Sequence, residues 1–534
     1  MSKVFQKIWT YKYHILITLI LILAGFFRLW HIEFGLPHCF YADEPEIAEL
    51  AIKYTFELKD IIANNNYYKL IPISYVYGTL PSYMFTAFTL VTNKLAGILN
   101  IQLSKTDIYI LMRSFNAVVT LSLVPLVYAI YLKLFGSKKG AILSALLVAL
   151  NWKLIVHAHY INSDVILTIL TTFTFLFAIS YFNKPQKSIY VWLLGLMMGF
   201  AVGTKITALI SLPFFCGLFI IKKDYRSLFG FLFITFGAFA ITNPFSIIFI
   251  QDFAYRVYEM LFKEGGVVFD SVDYSPFKYI SALSSILTPL LLAATLIGNV
   301  TALKIKRSLH WLFLGIIIIY ILFYSIQSRR VDRWMLPIVP ICTVYAVYGL
   351  TILKRLLTKA SINSKKWFKK LYLVAGIFGG VIIFSIYIHN PITLLSQFQK
   401  NTPKSEAYLW ARDNLPTASN RLTITEEGLD PMNKLRTDVG YKVKVIKFNV
   451  YTSENAQLDF PPDLAIYDYV IISSRPMVNF KKLEVVKKYP NYTEAWNNFE
   501  QELHNESKYT LIKSFVLSKP NLIPLSDVYI YKKL

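Results

Sequence analysis

The stretch HILITLILILAGFFRLW, residues 14–30, is an apolar segment that contains one charged side chain, Arg28. A helix of this length nearly crosses a hydrocarbon core of roughly 30 Å. Lys3, Lys7 and Lys12 precede it, and no small-residue cleavage site accompanies it. The segment is therefore predicted to be an uncleaved membrane anchor rather than a signal peptide, with the N-terminus in the cytoplasm.

The composition of the whole chain predicts a membrane protein as well. Hydrophobic residues make up 55% and aromatic residues 16% of the 534 residues, and the mean hydropathy is +0.47, which is more than soluble domains tolerate. The sequence predicts an α-helical polytopic protein with about eleven transmembrane helices. After the first anchor, the apolar runs begin near Ile108, Ala141, Val165, Tyr190, Thr207, Leu228, Tyr279, Leu312, Leu336 and Leu371.

Two kinds of connection separate these runs. Basic connections lie at residues 133–139, 184–187, 222–226, 304–307 and 354–370, and the positive-inside rule assigns them to the cytoplasm. Most of the remaining connections carry the acidic residues and are expected to face the outside. The net charge of +23 therefore has a topological cause, and a nucleic-acid partner is not expected.

This topology makes two demands on the chain. Residues 70–95, interrupted by Gly78 and Pro81, must lie in the interface or re-enter without crossing. Residues 190–221 must form a hairpin that is broken near Gly203-Thr204-Lys205, because a single helix of that length would overshoot the bilayer. Residues 1–389 then form the transmembrane module, and its first outer loop spans about residues 31–107.

The last part of the chain, residues 390–534, has the composition of a small soluble α/β domain on the extracytoplasmic side. Ser405 or Thr402 can cap a helix that ends before Pro416. Short alternating apolar segments at residues 422–425 and 469–472 predict strands.

Candidate catalytic carboxylates follow the first anchor, in Tyr41-Ala42-Asp43-Glu44-Pro45-Glu46. Adjacent acids where a chain leaves the bilayer suggest a general base at the lipid surface, and the alternative is an ordinary solvated loop. Asp164 is a second candidate, because a carboxylate between two spans is costly unless it is paired or lines a wet cavity. The nearby His157 and His159 fit interfacial positions better than metal ligation.

A cationic cluster precedes another apolar run. Arg329, Arg330 and Arg333 lie at a predicted outer membrane edge, against the charge bias of the other connections. Guanidinium groups match phosphate oxygens, so phosphate binding is favoured over anchoring to lipid headgroups. Lys205, within an apolar run, is a further cation for the same cavity, with snorkelling to the interface as the alternative. Arg113 has a weaker claim to that role.

Taken together, these segments resemble the GT-C glycosyltransferases, in particular the protein O-mannosyltransferases and aminoarabinose transferases that take a sugar from a polyprenyl-phosphate carrier. The resemblance covers most of the chain. It is carried by the order and spacing of Asp43-Glu44 with Ala48 and Ala51, Tyr77-Gly-Thr-Leu-Pro81, Arg113-Ser-Phe-Asn, His159-Tyr160 to Asp164, Gly203-Thr-Lys205, Thr242-Asn-Pro244 and Arg333-Trp-Met-Leu-Pro337.

This resemblance implies an inverting transfer to an acceptor hydroxyl or amine, with Asp43 as the base. Glu44 and Asp164 would position the acceptor or hold Asp43. The carrier phosphate would be bound by Lys205, Arg329, Arg330 and Arg333, and the donor or acceptor cavity would include Arg113, His159 and Tyr160. No cofactor is required, and a divalent ion at Asp43, Glu44 and Asp164 is the alternative left open.

Departures from the family limit the expectation. The Trp-Trp-Asp signature of oligosaccharyltransferases is missing, which disfavours transfer of a whole oligosaccharide, and Trp334 stands where the family usually has Tyr. The expected partners are a polyprenyl-phosphate-linked sugar, membrane lipids, and a protein, glycolipid or envelope-polymer acceptor. The expected location is a prokaryotic cytoplasmic membrane. The competing class is a transporter or flippase of lipid-linked saccharides.

Overall fold

The structure is a computed structural model that describes residues 3–37, 43–72, 75, 77–260, 273, 275–327, 330–362, 366–399, 401–417, 419–425, 442–447, 464–479, 481–516, 521–523 and 525–534. Helices dominate up to residue 414, and a sheet with short helices follows. The Arg329 position expected from the sequence to bind phosphate lies outside the described residues.

The helices of the first part of the chain are α1 Lys3–Leu29, α2 Glu44–Ala63, α3 Leu80–Ile98, α4 Lys105–Thr120, α5 Leu123–Phe135, α6 Lys138–Ala149, α7 Trp152–Ala158, α8 Ser163–Asn183, α9 Ile189–Thr204, α10 Leu212–Lys222 and α11 Tyr225–Thr242. They are followed by α12 Pro244–Ile248, α13 Ile250–Tyr258, α14 Lys278–Leu287, α15 Pro289–Ala302, α16 Arg307–Ile326, α17 Val339–Ile362, α18 Lys366–Phe398 and α19 Pro403–Asn414. Short 3-10 helices lie at Tyr67–Leu70, Ile206–Ser211, Asp332–Ile338 and Leu464–Ile466.

The helical part is a membrane bundle. Within the described residues, seven helices are long and apolar enough to span a membrane, or up to nine if each of two bent pairs is one span. The bent pairs are α6 with α7, at 52°, and α14 with α15, at 104°. The predicted polytopic helical class is therefore confirmed, whereas the number of about eleven crossings stays a prediction.

The chain reverses direction at Lys205. Lys205 contacts Asp164 at the start of α8, whereas Asp224, which follows α10, accepts a hydrogen bond from Tyr181 near the end of α8. Helices α9 and α10 therefore run in opposite directions along α8, as the predicted hairpin requires. Helix α3 is not among the candidate spans of the described residues, and it packs against α2. The interpretation that residues 70–95 do not cross the membrane stays a prediction.

Small residues bring the helices of the bundle close together. Gly298 of α15 faces the backbone of α17, and a Cβ at this position would lie 2.0 Å from the carbonyl oxygen of Tyr345. Gly349 of α17 meets α15 in the same way, with a Cβ placed 2.0 Å from the carbonyl oxygen of Ala294. Dispersion contacts between closely packed backbones stabilise helix pairs in a membrane, where burial of apolar surface contributes little.

The C-terminal region contains a mixed sheet. Its described strands are β1 Asn420–Thr425, β2 Lys442–Lys447, β3 Tyr469–Ser473, β4 Tyr509–Phe515 and β5 Val528–Lys533, in the order β2-β1-β3-β5-β4. β1 pairs in parallel with β2 and β3, and β5 is antiparallel to β3 and β4. The described helices after β2 are α20 Ser474–Asn479, α21 Leu483–Lys488 and α22 Pro490–Leu503. Trp496 is fully buried in the hydrophobic core against this sheet.

The helix and the two strands predicted for this region are present. The side chain of Thr402, one of the two predicted caps, accepts a hydrogen bond from the Ser405 N–H at the start of α19. Helix α18 continues to Phe398, so the boundary predicted between residues 389 and 390 falls within a helix. The division into two domains stays a prediction.

Candidate active site

A chain of four charged side chains forms the centre of the site. The Arg333 guanidinium lies between two carboxylates, with Nη2 2.6 Å from Asp43 Oδ2 and Nε 3.2 Å from Asp164 Oδ2. Lys205 Nζ donates to the other oxygen of Asp164 at 2.7 Å. Asp164 and Lys205 are buried, and Asp43 is half-buried. Four residues that the sequence analysis selected independently therefore meet in one place.

Local backbone contacts position Asp164. The side-chain oxygen of Asn162 caps α8 by accepting the Asp164 N–H at 2.6 Å. The amide nitrogen of Asn116 donates to the Tyr160 carbonyl at 2.7 Å and also reaches the His157 carbonyl at 3.3 Å. Because these bonds hold the segment between α7 and α8, they determine where the first turn of α8 presents its carboxylate.

The Lys205 position depends on contacts from two distant segments. Gly78 N–H donates to the Thr204 carbonyl at 3.0 Å, and the Asn243 amide donates to the Gly203 carbonyl at 3.1 Å. A Cβ on Gly78 would lie 1.9 Å from the Gly203 carbonyl oxygen, so only glycine permits this approach. The same Asn243 accepts the Thr79 N–H at 2.9 Å. These contacts hold the end of α9, where Lys205 turns towards Asp164.

Glu44 lies in a separate, fully buried ion pair with Arg113. Its two carboxylate oxygens accept from Arg113 Nε at 2.8 Å and Arg113 Nη2 at 2.7 Å, and the Ile161 N–H donates to Oε1 at 2.9 Å. Arg113 Nη1 donates to the Ile32 and Phe34 carbonyls. Both side chains are fully buried. Glu44 and Arg113 thus join the loop after α1 to α2, α4 and the start of α8.

His159 and Tyr160 also make structural contacts. The imidazole of His159 lies within hydrogen-bond distance of the Ile155 and Trp30 carbonyls and stacks on Phe398, with ring centroids 3.8 Å apart. The ring of Tyr160 packs against the Arg113 guanidinium at 5.3 Å. These contacts of His159 and Tyr160 connect the helices around the site.

Arg330 forms a second ion-paired group next to the first. It lies 3.0 Å from Asp332 and 3.3 Å from Asp273. All three side chains are partly exposed, and Arg330 is three residues from Arg333. Arg330 is therefore near Arg333 in the chain and is paired with two carboxylates.

Two residues near the charged chain were not selected from the sequence as site residues. The Tyr77 ring lies 5.6 Å from Lys205 Nζ, and burial, reinforced by the charge of Asp43, raises the pKa of its hydroxyl well above the ordinary value. Tyr77 therefore remains a hydrogen-bond donor at neutral pH.

Lys153 of α7 interacts electrostatically with Asp332, Arg333 and Arg330. The sequence feature that could have identified Lys153 as a site residue is its charge beside the apolar residues of α7.

Metal binding would need a convergent set of ligands. Within the described part of the chain, no group of three or more His, Cys, Asp or Glu side chains could hold a metal ion. Asp43 and Asp164 meet on Arg333, whereas both oxygens of Glu44 accept hydrogen bonds from Arg113. Of the three carboxylates considered for a divalent ion, Glu44 is thus directed to a different partner from Asp43 and Asp164.

Sequence families match two parts of the chain. Residues 91–223 match the dolichyl-phosphate-mannose-protein mannosyltransferase family, and residues 276–410 match the Alg9-like mannosyltransferase family. The first match includes Asp164 and Lys205, the second includes Arg330 and Arg333, and Asp43 lies outside both. No curated protein sequence matches the chain.

Solved structures share the fold. ArnT from Cupriavidus metallidurans, bound to undecaprenyl phosphate, aligns over 97% of this chain and 98% of its own, with 12% identity and a TM-score of 0.52. The apo oligosaccharyltransferase of Archaeoglobus fulgidus aligns over 86% of this chain and 69% of its own, with 12% identity and a TM-score of 0.51. The chain is a glycosyltransferase of the GT-C superfamily. The expected GT-C fold is therefore confirmed, and this GT-C enzyme is an integral membrane protein.

Proposed function

We propose that this GT-C glycosyltransferase moves a sugar from a polyprenyl-phosphate carrier to a hydroxyl or amine of an acceptor, with inversion at the anomeric carbon. The observation that carries the proposal is the position of Arg333 between Asp43 and Asp164. A base for the acceptor and a cation for the leaving phosphate are adjacent there. A direct displacement needs both groups, with the base and the leaving phosphate on opposite sides of the anomeric carbon.

Asp43 is the proposed general base. Its carboxylate removes the proton of the acceptor as the acceptor atom bonds to the anomeric carbon, and the bond from that carbon to the phosphate oxygen breaks. The electron pair of the broken bond stays on the polyprenyl phosphate, which leaves. A well-placed general base contributes on the order of a hundredfold to ten-thousandfold in rate.

Arg333 and Lys205 are the proposed partners of the phosphate. Arg330 is a further candidate, and Arg329 precedes it in the sequence. Cations aimed at a leaving phosphate stabilise the charge that develops as the bond breaks. Asp164 holds Arg333 and Lys205 through its two oxygens, so we assign it the role of positioning these cations. This differs from the role in acceptor binding that the resemblance implied.

Binding of the phosphate would also prepare the base. The Arg333 guanidinium is 2.6 Å from Asp43 Oδ2, so the ion pair occupies an oxygen of the proposed base. Phosphate oxygens compete with Asp43 for the same guanidinium nitrogens. The donor would therefore release Asp43 when it binds, so that the base becomes available in the donor complex.

The site is proposed to face the extracytoplasmic side. Support comes from the basic connections at residues 133–139, 184–187 and 222–226, which the positive-inside rule assigns to the cytoplasm. Lys205 and Asp224 lie at opposite ends of α8, so the site is at the end away from one of these basic connections. The acceptor is proposed to be a protein, a glycolipid or an envelope polymer.

The test is sugar transfer by the full-length protein in liposomes that contain radiolabelled polyprenyl-phosphate sugars and an acceptor-containing membrane extract. We expect sugar release that requires the extract and that falls roughly 100- to 10,000-fold in Asp43→Asn. Asp60→Asn is the matched control, because Asp60 is an exposed acid of α2, within the predicted first outer loop that also contains Asp43. Donors that are moved between leaflets but remain intact would contradict the proposal and favour a transporter.

A further inference from the structure

We infer that Lys153 is a further binding residue for the phosphate of the lipid carrier, a role that rests on the proposed function. Neither the sequence motifs nor the family resemblance selects this residue. The inference depends on its position beside the arginines and on the partners of each cation in the site.

Lys153 lies on the side of α7 that faces the charged cluster. Lys153 and His157 are one helical turn apart and share a face. His157 interacts electrostatically with Arg333 and Lys205, and Lys153 interacts with Arg330, Arg333 and Asp332. Helix α7 also packs against the 3-10 helix that carries Arg333. The ammonium group is therefore next to the proposed phosphate site.

Hydrogen bonds to α14 hold the N-terminal end of α7 in place. The Trp152 indole donates to the Ser285 carbonyl at 3.1 Å, and the Asn151 amide donates to the Ile286 carbonyl at 3.0 Å. Lys153 Nζ lies 4.8 Å from the centroid of the Trp152 ring. An anchored aromatic face provides a weak, non-acidic contact for the ammonium and leaves its hydrogen-bond donors available.

The other cations of the cluster contact carboxylates. Arg333 contacts Asp43 and Asp164, Lys205 contacts Asp164, and Arg330 contacts Asp332. For Lys153, the described residues provide no hydrogen bond and no ion pair within contact distance. Phosphate that binds Arg333 must therefore compete with a carboxylate, whereas phosphate that binds Lys153 displaces none.

The ammonium group of Lys153 lies near two guanidinium groups as well as the Asp332 carboxylate. Lys153 is partly removed from water, and repulsion from Arg333 and Arg330 opposes its attraction to Asp332, so an incoming anion offsets both the desolvation and the repulsion. A monoester phosphate has enough oxygens to bind Lys153 and Arg333 together. Lys153 is thus the cation in the described cluster that is best placed to receive the phosphate first.

The experiment measures binding of radiolabelled undecaprenyl phosphate to the full-length protein in lipid nanodiscs. Lys153→Met removes the charge and Lys153→Arg retains it. Lys133→Met is the matched control, because Lys133 is exposed at the end of α5. A charge-assisted hydrogen bond implies that Lys153→Met raises Kd roughly 10- to 100-fold. We expect Lys153→Arg to retain much of the affinity and Lys133→Met to match the wild type.

Competing ligands separate the possible outcomes. Unlabelled undecaprenol, which lacks the phosphate, should bind wild type and Lys153→Met with equal affinity. If Lys153→Met lost the same affinity for undecaprenol as for undecaprenyl phosphate, the variant would disturb the cavity and the role in phosphate binding would be refuted. Phosphatidic acid with the same dependence on Lys153 would overturn a carrier-specific site in favour of a general headgroup site. Unchanged affinity in Lys153→Met, with a loss in Arg333→Met, would refute the role of Lys153 alone. No binding to the wild type would instead refute the proposed carrier.

Discussion

Replacing Glu44 by glutamine should destabilise the folded protein, although Glu44 directly follows the proposed base Asp43. The Glu44 carboxylate is fully buried and accepts hydrogen bonds from Arg113 at 2.8 and 2.7 Å and from the Ile161 N–H at 2.9 Å. In Glu44→Gln, the remaining carbonyl oxygen can still accept from Arg113 Nε and Ile161. The new amide group, however, faces a guanidinium nitrogen, and the Arg113 charge loses its counterion.

The magnitude follows from the complete burial of the pair. Removing one partner of a buried ion pair costs about 3–5 kcal/mol, because an uncompensated charge remains in a medium of low dielectric. Arg113→Met should cost a similar amount, since it leaves the Glu44 carboxylate uncompensated. The double variant should recover part of this loss, with a coupling free energy of about 2–3 kcal/mol between the two sites.

The assay is unfolding of the full-length protein in detergent micelles, combined with sugar transfer at a temperature at which each variant is folded. Glu57→Gln is the matched control on the same helix, because Glu57 is partly exposed and pairs with Lys69 at 3.4 Å. Such a surface pair is worth about 0–1 kcal/mol. If Glu44→Gln unfolded like the wild type and yet lost transfer, Glu44 would belong to the chemistry and our reasoning would be refuted.

Three further predictions concern the surroundings of the site. Lys205→Met should lower kcat roughly 100- to 1,000-fold, since it removes a cation from the leaving phosphate; an unchanged kcat in the transfer assay would contradict this role. Gly78→Ala should destabilise the protein by about 1–3 kcal/mol, because its Cβ would lie 1.9 Å from a carbonyl oxygen of α9. Gly97→Ala, where a Cβ meets nothing within 4 Å, should be no less stable than the wild type in the same measurement, because alanine favours a helix over glycine. Burial lowers the pKa of His159 from 6.5 to about 4, so its stabilising contribution should be present above pH 6.5 and lost as the pH falls towards 4. His159→Gln should reduce the acid-induced decrease in Tm, and an identical pH profile would contradict the shift.

Much of the fold could be predicted from local patterns. The apolar runs identified the membrane helices because the bilayer requires long segments without charges. The break at Lys205 followed from an apolar stretch too long for one crossing, and the capped helix and strands of the C-terminal region followed from their periodicity. Two of the spans in the bundle are harder to count from the sequence. α6 with α7, and α14 with α15, are bent pairs, and hydropathy does not report such bends.

The sequence predicts which residues belong to the candidate site better than it predicts which of them form ion pairs with each other. Asp164 and Lys205 were selected because charges are costly among apolar residues, and this reasoning does not depend on tertiary structure. Lys153 satisfies the same criterion, but one lysine at the edge of a short apolar helix did not stand out. The packing of α7 against the 3-10 helix that carries Arg333 distinguishes it from other lysines.

The sequence by itself determined that this is a polytopic membrane protein with acids and cations at the ends of its spans, because hydropathy and charge act on each segment separately. Only the tertiary structure decided which charges meet. The neighbours Asp43 and Glu44 have different partners, Arg333 and Arg113, because one carboxylate faces the site and the other faces the interior between α2 and α4. Partner choice depends on distances between segments far apart in the chain, and no local pattern encodes those distances.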